Sequence, residues 1–264
     1  MIPRPQENGE LLLITQTDHS RLVGQLAAHW GNARFAAPAP YESVVRAATF
    51  HDFGHLTYET KPLLNTETGE MYLFRDIPFA PRTLESYQWC VDWLSGVDPY
   101  AGLLVSMHRT GLWQARYQSI TEPAGRLNPK GQRPEIQAFI ERNEAWQGQQ
   151  RATFEENGVA TNYHLLQVWD LLGLYFCCQE PYEDVIDPVP TSYNTASAGV
   201  RLTMQPLDGR RVAFDPYPFD APVVRVQIGC LRLPSATYAV EASFRRAYFQ
   251  ARHDLIEYEL CPLA

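Results

Sequence analysis

The sequence predicts a mainly α fold, in which an all-helical core carries a small antiparallel β-sheet from the C-terminal region. Residues 17–178 repeat apolar side chains at helical spacing, whereas residues 199–264 alternate apolar and polar side chains as strands do. The segment between them, 179–198, is rich in proline and small polar residues, which indicates a linker. Residues 1–16 form an N-terminal segment in which the apolar stretch 10–16 is expected to be a strand that joins the sheet.

Six segments of the first region have helical patterns, and several carry signals for where they begin or end. Asp18 is a candidate N-cap for the first helix, and Asp98 precedes Pro99, a favoured first helical residue. A long polar-faced helix is expected to end at Gly158. The last helix is apolar nearly all round, which predicts a central buried position. The six segments are 18–30, 41–54, 81–96, 98–113, 133–158 and 160–178.

The C-terminal region has the two-residue period of strands. Asp208 and Gly209 predict a hairpin turn. The segments 221–234 and 253–261 alternate apolar with charged or polar side chains, which favours half-buried strands.

Composition and charge exclude several classes of protein. The chain has 264 residues, of which 45% are hydrophobic and 20% are charged, as is usual for a globular protein. Its net charge is −8 and it has no dense basic cluster, so we expect a small-molecule substrate and no nucleic-acid partner. No apolar run is long enough to span a membrane, and the N-terminus lacks the pattern of a secretory signal. Five cysteines do not suggest a disulfide framework, so we expect a cytoplasmic location, while the oligomeric state stays open.

Four segments each bring a potential metal ligand towards the same core. His51 and Asp52 stand side by side at the end of an apolar helix, and His19 lies in the first turn of an earlier one. His108 follows an apolar run, and Asp170 is surrounded by apolar residues, where an unpartnered carboxylate would cost several kcal/mol. Imidazole and carboxylate ligands together suit a divalent transition metal ion such as manganese, iron, zinc, nickel or cobalt.

The same four segments resemble a known superfamily. "TDH" ending at His19, "HDFG" at 51–54, "SMHRTG" around His108 and "VWDLLGL" around Asp170 are similar, in kind and order, to the marks of the HD-domain superfamily of helical metal-dependent phosphohydrolases. The resemblance covers roughly residues 15–178. The chain resembles more closely a bacterial family catalogued only as a domain of unknown function, marked by "ITQTDHSRLVGQLAAHWG" and the His-Asp doublet. That closer resemblance implies no activity.

The superfamily resemblance implies an HD-like helical core that hydrolyses a small phosphoester or nucleotide with a metal-activated water. Asp52 would both bind the metal and orient that water. Some members have a lysine where His55 stands, and some carry an adjacent His-His pair that this chain lacks. The number of metal ions, one or two, therefore stays open, and His55 is a candidate for a substrate contact.

Cations near the ligand segments are candidates for binding a phosphate group. Lys61 and Arg109 are the nearest in sequence, although either could equally be a surface charge. The long segment 56–81 starts at the His-Asp doublet and is expected to roof the pocket, with Tyr58 and Lys61 closest to it.

Each assignment has a competing structural interpretation. A histidine at a helix C-terminus beside a turn-forming aspartate needs no metal, and His108 could be a core histidine with satisfied hydrogen bonds. Three functions therefore remain open: a metal-dependent phosphohydrolase, other metal chemistry such as a di-iron oxygenase, or a non-catalytic binding protein that retains the scaffold. Metal analysis separates the third from the other two.

Overall fold

A computed structural model describes residues 1–114, 116, 129–194 and 197–263. About 47% of the chain is helical and about 22% is in strands. All the strands in these described ranges join one curled, mixed sheet of seven strands. The prediction of a mainly α fold with a small sheet is therefore wrong, and the fold is α/β.

Eight α-helices and two short 3₁₀ helices lie within the described residues. The α-helices are α1 Gln16–Ala28, α2 Tyr41–Phe50, α3 Leu56–Thr60, α4 Pro81–Val97, α5 Pro99–Trp113, α6 Pro134–Arg151, α7 Glu156–Cys178 and α8 Glu241–Phe249. The 3₁₀ helices are Phe53–His55 and Pro129–Gln132.

The sheet has the strand order β1-β2-β6-β7-β5-β4-β3. Its strands are β1 Ile2–Pro5, β2 Leu11–Ile14, β3 Asp184–Val189, β4 Val200–Pro206, β5 Arg211–Asp215, β6 Val224–Leu233 and β7 Arg252–Pro262. Strands β5 and β7 pair in parallel, and all the other neighbours are antiparallel. The expected strand within 10–16 is present as β2, and β4 and β5 form the hairpin expected at Asp208 and Gly209.

The sequence prediction missed the two edge strands of the sheet because both contain prolines. β1 carries Pro3 and Pro5, and β3 carries Pro188. Proline lacks an N–H donor, so strands tolerate it mainly at a sheet edge. In the sequence alone, a segment with several prolines therefore indicates a loop. β3 in fact lies within 179–198, where the sequence predicted a linker.

Both faces of the sheet are covered. Leu12 and Ile14 of β2 lie in the main core with the helices, whereas Leu11 and Leu13 pack with Phe244 of α8 in a second cluster. This division follows the alternation of side chains along a strand. Helix α1 packs against β6, and α7 packs against β1 and β3, so the sheet supports the two helices that carry His19 and Asp170.

The helix boundaries agree in part with the sequence prediction. Asp98 caps α5, as predicted, by accepting hydrogen bonds from two backbone N–H groups. The cap of α1 is Thr15, whose side chain accepts a hydrogen bond from the backbone of Asp18. The long helix expected to reach Gly158 ends at Arg151, and α7 begins at Glu156. No helix in the described ranges is long and apolar enough to cross a membrane.

Candidate metal centre

The structure brings together the five residues predicted as metal ligands. The ligand atoms of His19, His51 and Asp52 lie within 4.8 Å of one another, and so do those of His51, His108 and Asp170. None of the five residues is more than 5% exposed. They come from α1, the end of α2, α5 and α7, so the site lies where these helices meet. Their role as ligands stays a prediction.

Hydrogen bonding defines which nitrogen of His51 faces the cluster. Its Nδ1 lies 2.8 Å from the carbonyl oxygen of Ala48, an acceptor only, so Nδ1 carries the proton and donates it. The lone pair is therefore on Nε2. Ser20 contributes to this arrangement because its hydroxyl lies 3.2 Å from Nδ1 and accepts a hydrogen bond from the backbone of Asp52.

The lone pair of His51 faces two carboxylates. Nε2 lies 3.3 Å from Oδ1 of Asp170 and 3.9 Å from Oδ2 of Asp52. A lone pair opposite anionic oxygens in a buried site is repulsive unless a cation lies between them. Without a metal, a proton has that role. Burial disfavours a charged His51, yet its contacts with Asp170 and Asp52 outweigh burial and raise its pKa.

His19 and His108 complete the cluster on either side of His51. Nε2 of His19 lies 2.8 Å from Oδ1 of Asp170, and the His19 and His51 rings lie 5.3 Å apart. The ring of His108 lies 4.8 Å from that of His51. Burial lowers the pKa of His108 to about 3, so this imidazole is neutral at pH 7, as a metal ligand must be.

Asp52 lies between the cluster and a second set of polar groups. Its Oδ1 pairs with the guanidinium of Arg109 and lies 3.8 Å from Nε2 of His55, and its Oδ2 accepts a hydrogen bond of 2.9 Å from Gln16. Burial opposes ionisation, but Arg109, His55 and His51 together hold the pKa of Asp52 below its usual range. The carboxylate is therefore anionic at pH 7.

A small cavity opens beside Asp52. Its volume is about 240 Å³, and His55, Tyr58, Tyr87 and Arg109 are among the residues that line it. Part of 56–81 lines it as well, so that segment adjoins the cavity as expected. Lys61 does not line it but is exposed at the end of α3, so the structure does not bring this predicted phosphate contact into the site.

Tyr87 orients His55. The Tyr87 hydroxyl lies 3.2 Å from Nε2 of His55. Burial raises the pKa of Tyr87 to about 12 and lowers that of His55 to about 3, so the phenol donates and the imidazole accepts. His55 then carries its proton on Nδ1, which has no hydrogen-bond partner within the described part of the chain. His55 therefore lines the cavity and has one buried N–H donor that no described residue uses.

Sequence reasoning missed Glu59, a buried carboxylate on α3. Its two oxygens accept hydrogen bonds from the backbone N–H and the hydroxyl of Thr17, at 3.0 and 2.6 Å. Burial raises its pKa despite these bonds. Because Thr17 is in the first turn of α1, Glu59 anchors the turn that carries His19. No local signal distinguishes this glutamate from the exposed acids around it.

Gly173 lets α7 approach His19, so its replacement by alanine tests the fit of the two helices. A Cβ at this position would lie 2.7 Å from Cε1 of His19 and 2.6 Å from Cγ2 of Val23. We expect Gly173→Ala to lower the free energy of unfolding by about 1–3 kcal/mol and to weaken metal binding by about tenfold or more. Manganese titration and chemical unfolding measure the two effects.

Gly148→Ala is the matched control, because a Cβ at this position in α6 would meet nothing within 4 Å. It should stabilise the protein by about 0.5–1 kcal/mol and leave metal affinity unchanged. Equal metal affinity in Gly173→Ala and the wild type would contradict the proposed contribution of His19.

The neutral state of His55 should make stability depend on pH. Its pKa is about 3 in the folded protein and about 6.5 in an unfolded chain. Between those values the unfolded chain binds the extra proton, so the free energy of unfolding falls as pH decreases through this window. In metal-free protein, lowering the pH from about 6.5 to about 5 should decrease the free energy of unfolding of His55→Gln by about 1.5 kcal/mol less than that of the wild type.

Urea unfolding at the two pH values measures this difference. His253→Gln, at an exposed position on β7, is the control and should behave as wild type. An unchanged pH dependence in His55→Gln would show that His55 is not held neutral.

Comparison with known proteins gives a family but no activity. A family model described as "Protein of unknown function (DUF3891)" matches residues 1–235, which is most of the chain. No curated protein and no solved structure matches this sequence. None of these comparisons links the chain to the HD-domain superfamily, so that resemblance stays a prediction. By the match over residues 1–235, the chain belongs to the DUF3891 family of proteins of unknown function.

Proposed function

We propose that this protein is a metal-dependent phosphohydrolase acting on a small phosphoester or nucleotide in the cytoplasm. The observation that carries the proposal is the position of Nε2 of His51, which lies 3.3 Å from a carboxylate oxygen of Asp170 and 3.9 Å from one of Asp52 inside a buried cluster. A divalent manganese, iron, zinc, nickel or cobalt ion would satisfy all of these groups at once.

The arrangement favours one metal ion over two. His51 belongs to both of the three-residue groups in the described residues, and its Nδ1 is occupied by Ala48. Only Nε2 remains, and one imidazole nitrogen binds one metal ion. His19, His51, Asp52, His108 and Asp170 are therefore best interpreted as ligands around a single ion. This interpretation gives less support to a di-iron oxygenase.

A bound metal ion would lower the pKa of a water molecule and polarise a phosphoryl oxygen. The chain's own residues supply the rest. Asp52 is anionic and can accept a hydrogen bond from the attacking water. Arg109 has five N–H donors, and its hydrogen bond to Asp52 uses one of them, on Nη2, so it can also bind a phosphoryl oxygen. His55 offers its Nδ1–H from the same wall of the cavity.

A panel of phosphate esters assayed with each of the five metals tests the proposal. We expect turnover that is lost on chelation. For Asp52→Asn we expect kcat/KM to fall by about 100-fold or more. Asp92→Asn, an exposed position on α4, is the control and should retain full activity. Turnover that survives removal of the metal would contradict the proposal, and so would a lack of turnover with every ester and metal.

A further inference from the structure

The cavity beside Asp52 has walls unlike an ordinary phosphate site. Five aromatic side chains line it, namely Tyr58, Phe74, Phe79, Tyr87 and Trp113. At about 240 Å³ it is smaller than the range of about 300–1,000 Å³ that is typical for drug-sized ligands. Its size suits one ring better than a dinucleotide.

The charge of the cavity is opposite to that of the chain. Arg75 and Arg109 line it, and the described lining residues include no carboxylate. Two further arginines lie against its aromatic walls: the guanidinium of Arg82 lies 4.8 Å from the ring centre of Tyr58, and that of Arg133 lies 5.1 Å from that of Phe79. Asp52 pairs with Arg109, and Oδ2 of Asp76 lies 3.9 Å from Nε of Arg75. The four arginines still outnumber these two carboxylates, and an excess of positive charge in a protein of net charge −8 attracts an anionic ligand.

The cavity also connects with the candidate metal centre. His55 and Arg109 line it, and both contact Oδ1 of Asp52. A ligand in the cavity can therefore place its anionic group at Arg109 and His55, next to the candidate metal centre, and its apolar part against the aromatic walls.

We propose that the substrate is an aryl phosphate monoester, with its phosphoryl group at Arg109 and His55 and its single aromatic ring among the aromatic walls. This inference rests on the proposed function and adds the class of leaving group. In the reaction, water adds to phosphorus and the bond between phosphorus and the aryl oxygen breaks. That oxygen leaves with a proton from the water, which gives a phenol and inorganic phosphate.

Binding of two inert phosphonates to the manganese-loaded protein tests whether the site prefers an aryl group. Phosphonates are not hydrolysed, so the high intrinsic reactivity of aryl esters does not affect the comparison. Phenylphosphonate and methylphosphonate share the anionic group and differ by the ring. By isothermal titration we expect both to bind, and phenylphosphonate to bind about tenfold tighter or more, because burial of the ring adds apolar contact.

Phe79→Ala and Phe79→Leu should each reduce that preference by about threefold or more, since both remove an aromatic wall. Phe79 is only partly buried, so both variants are expected to fold. Phe249→Ala is the matched control: Phe249 is 65% exposed and lies on α8, away from the cavity, and its loss should leave the preference unchanged.

The possible failures are distinguishable when the ester panel is assayed in parallel. Equal binding of the two phosphonates, with metal-dependent turnover intact, would overturn the aryl class and leave the proposed function standing. A preference that survives both Phe79 variants would also overturn it, because the ring would bind elsewhere. If neither phosphonate binds and no ester is hydrolysed, the proposed function itself is wrong.

Discussion

Asp170→Asn is expected to abolish metal binding and to make the melting temperature insensitive to chelator. In the wild type, a metal ion present at about 1,000 times its Kd adds about 4 kcal/mol to the free energy of unfolding. For a domain of this size that is about 10 °C in melting temperature, which chelation should remove. In Asp170→Asn nothing remains to be removed, because the carboxylate shared by His19 and His51 is gone.

A comparison of the metal-free proteins adds a second test at Asp170. In the metal-free wild type the Asp170 carboxylate contacts His19 and a protonated His51, so Asp170→Asn breaks a buried pair, and the metal-free variant should melt below the metal-free wild type. A melting series of both proteins with and without chelator measures both effects, and Asp92→Asn controls for the substitution. Equal chelator sensitivity in the wild type and Asp170→Asn would mean that Asp170 belongs to a buried hydrogen-bond network and is not a ligand.

Arg109→Met should destabilise the metal-free protein by about 3–5 kcal/mol, because it leaves Asp52 buried without its guanidinium partner. The same change should strengthen manganese binding, since a cation that competes for Asp52 has been removed. By linkage, manganese should then raise the melting temperature of the variant more than that of the wild type. The KM for phosphoesters should rise, because Arg109 also faces the cavity.

Differential scanning with and without manganese measures the effect at Arg109. Arg142→Met is the matched control, since Arg142 is an exposed arginine that also lies against an aromatic ring, at 5.5 Å from the centre of Phe139. If manganese stabilises Arg109→Met no more than wild type, Asp52 is not a metal ligand and its pair with Arg109 is structural.

The helices that carry the candidate ligands could be predicted because their patterns are local. His108 and Asp170 each interrupt an apolar run at helical spacing, so a polar residue on a core-facing side is visible in the sequence. Asp170 is the clearest case, since α7 is buried on nearly all sides. The order of the ligand segments then adds the resemblance to a metal-binding superfamily.

The sheet could not be predicted in full, because strand pairing is not local. β1 and β3 are short edge strands that contain proline, and only their neighbours β2 and β4 define them as strands. For the same reason, the sequence could not show which of Lys61 and Arg109 lies in the site. Both lie near ligand segments in sequence, but α5 carries Arg109 into the core beside His108, whereas Lys61 follows the end of α3 on the surface.

Anomalous X-ray scattering from crystals grown with manganese tests whether the cluster binds a metal ion. We expect one anomalous peak within about 2.0–2.3 Å of nitrogen and oxygen atoms from His19, His51, Asp52, His108 and Asp170. The same peak should be absent from crystals of Asp170→Asn. An empty cluster in wild-type crystals that hold manganese at other positions would contradict the proposed metal centre and leave the five residues as a buried network of protonated imidazole and carboxylate.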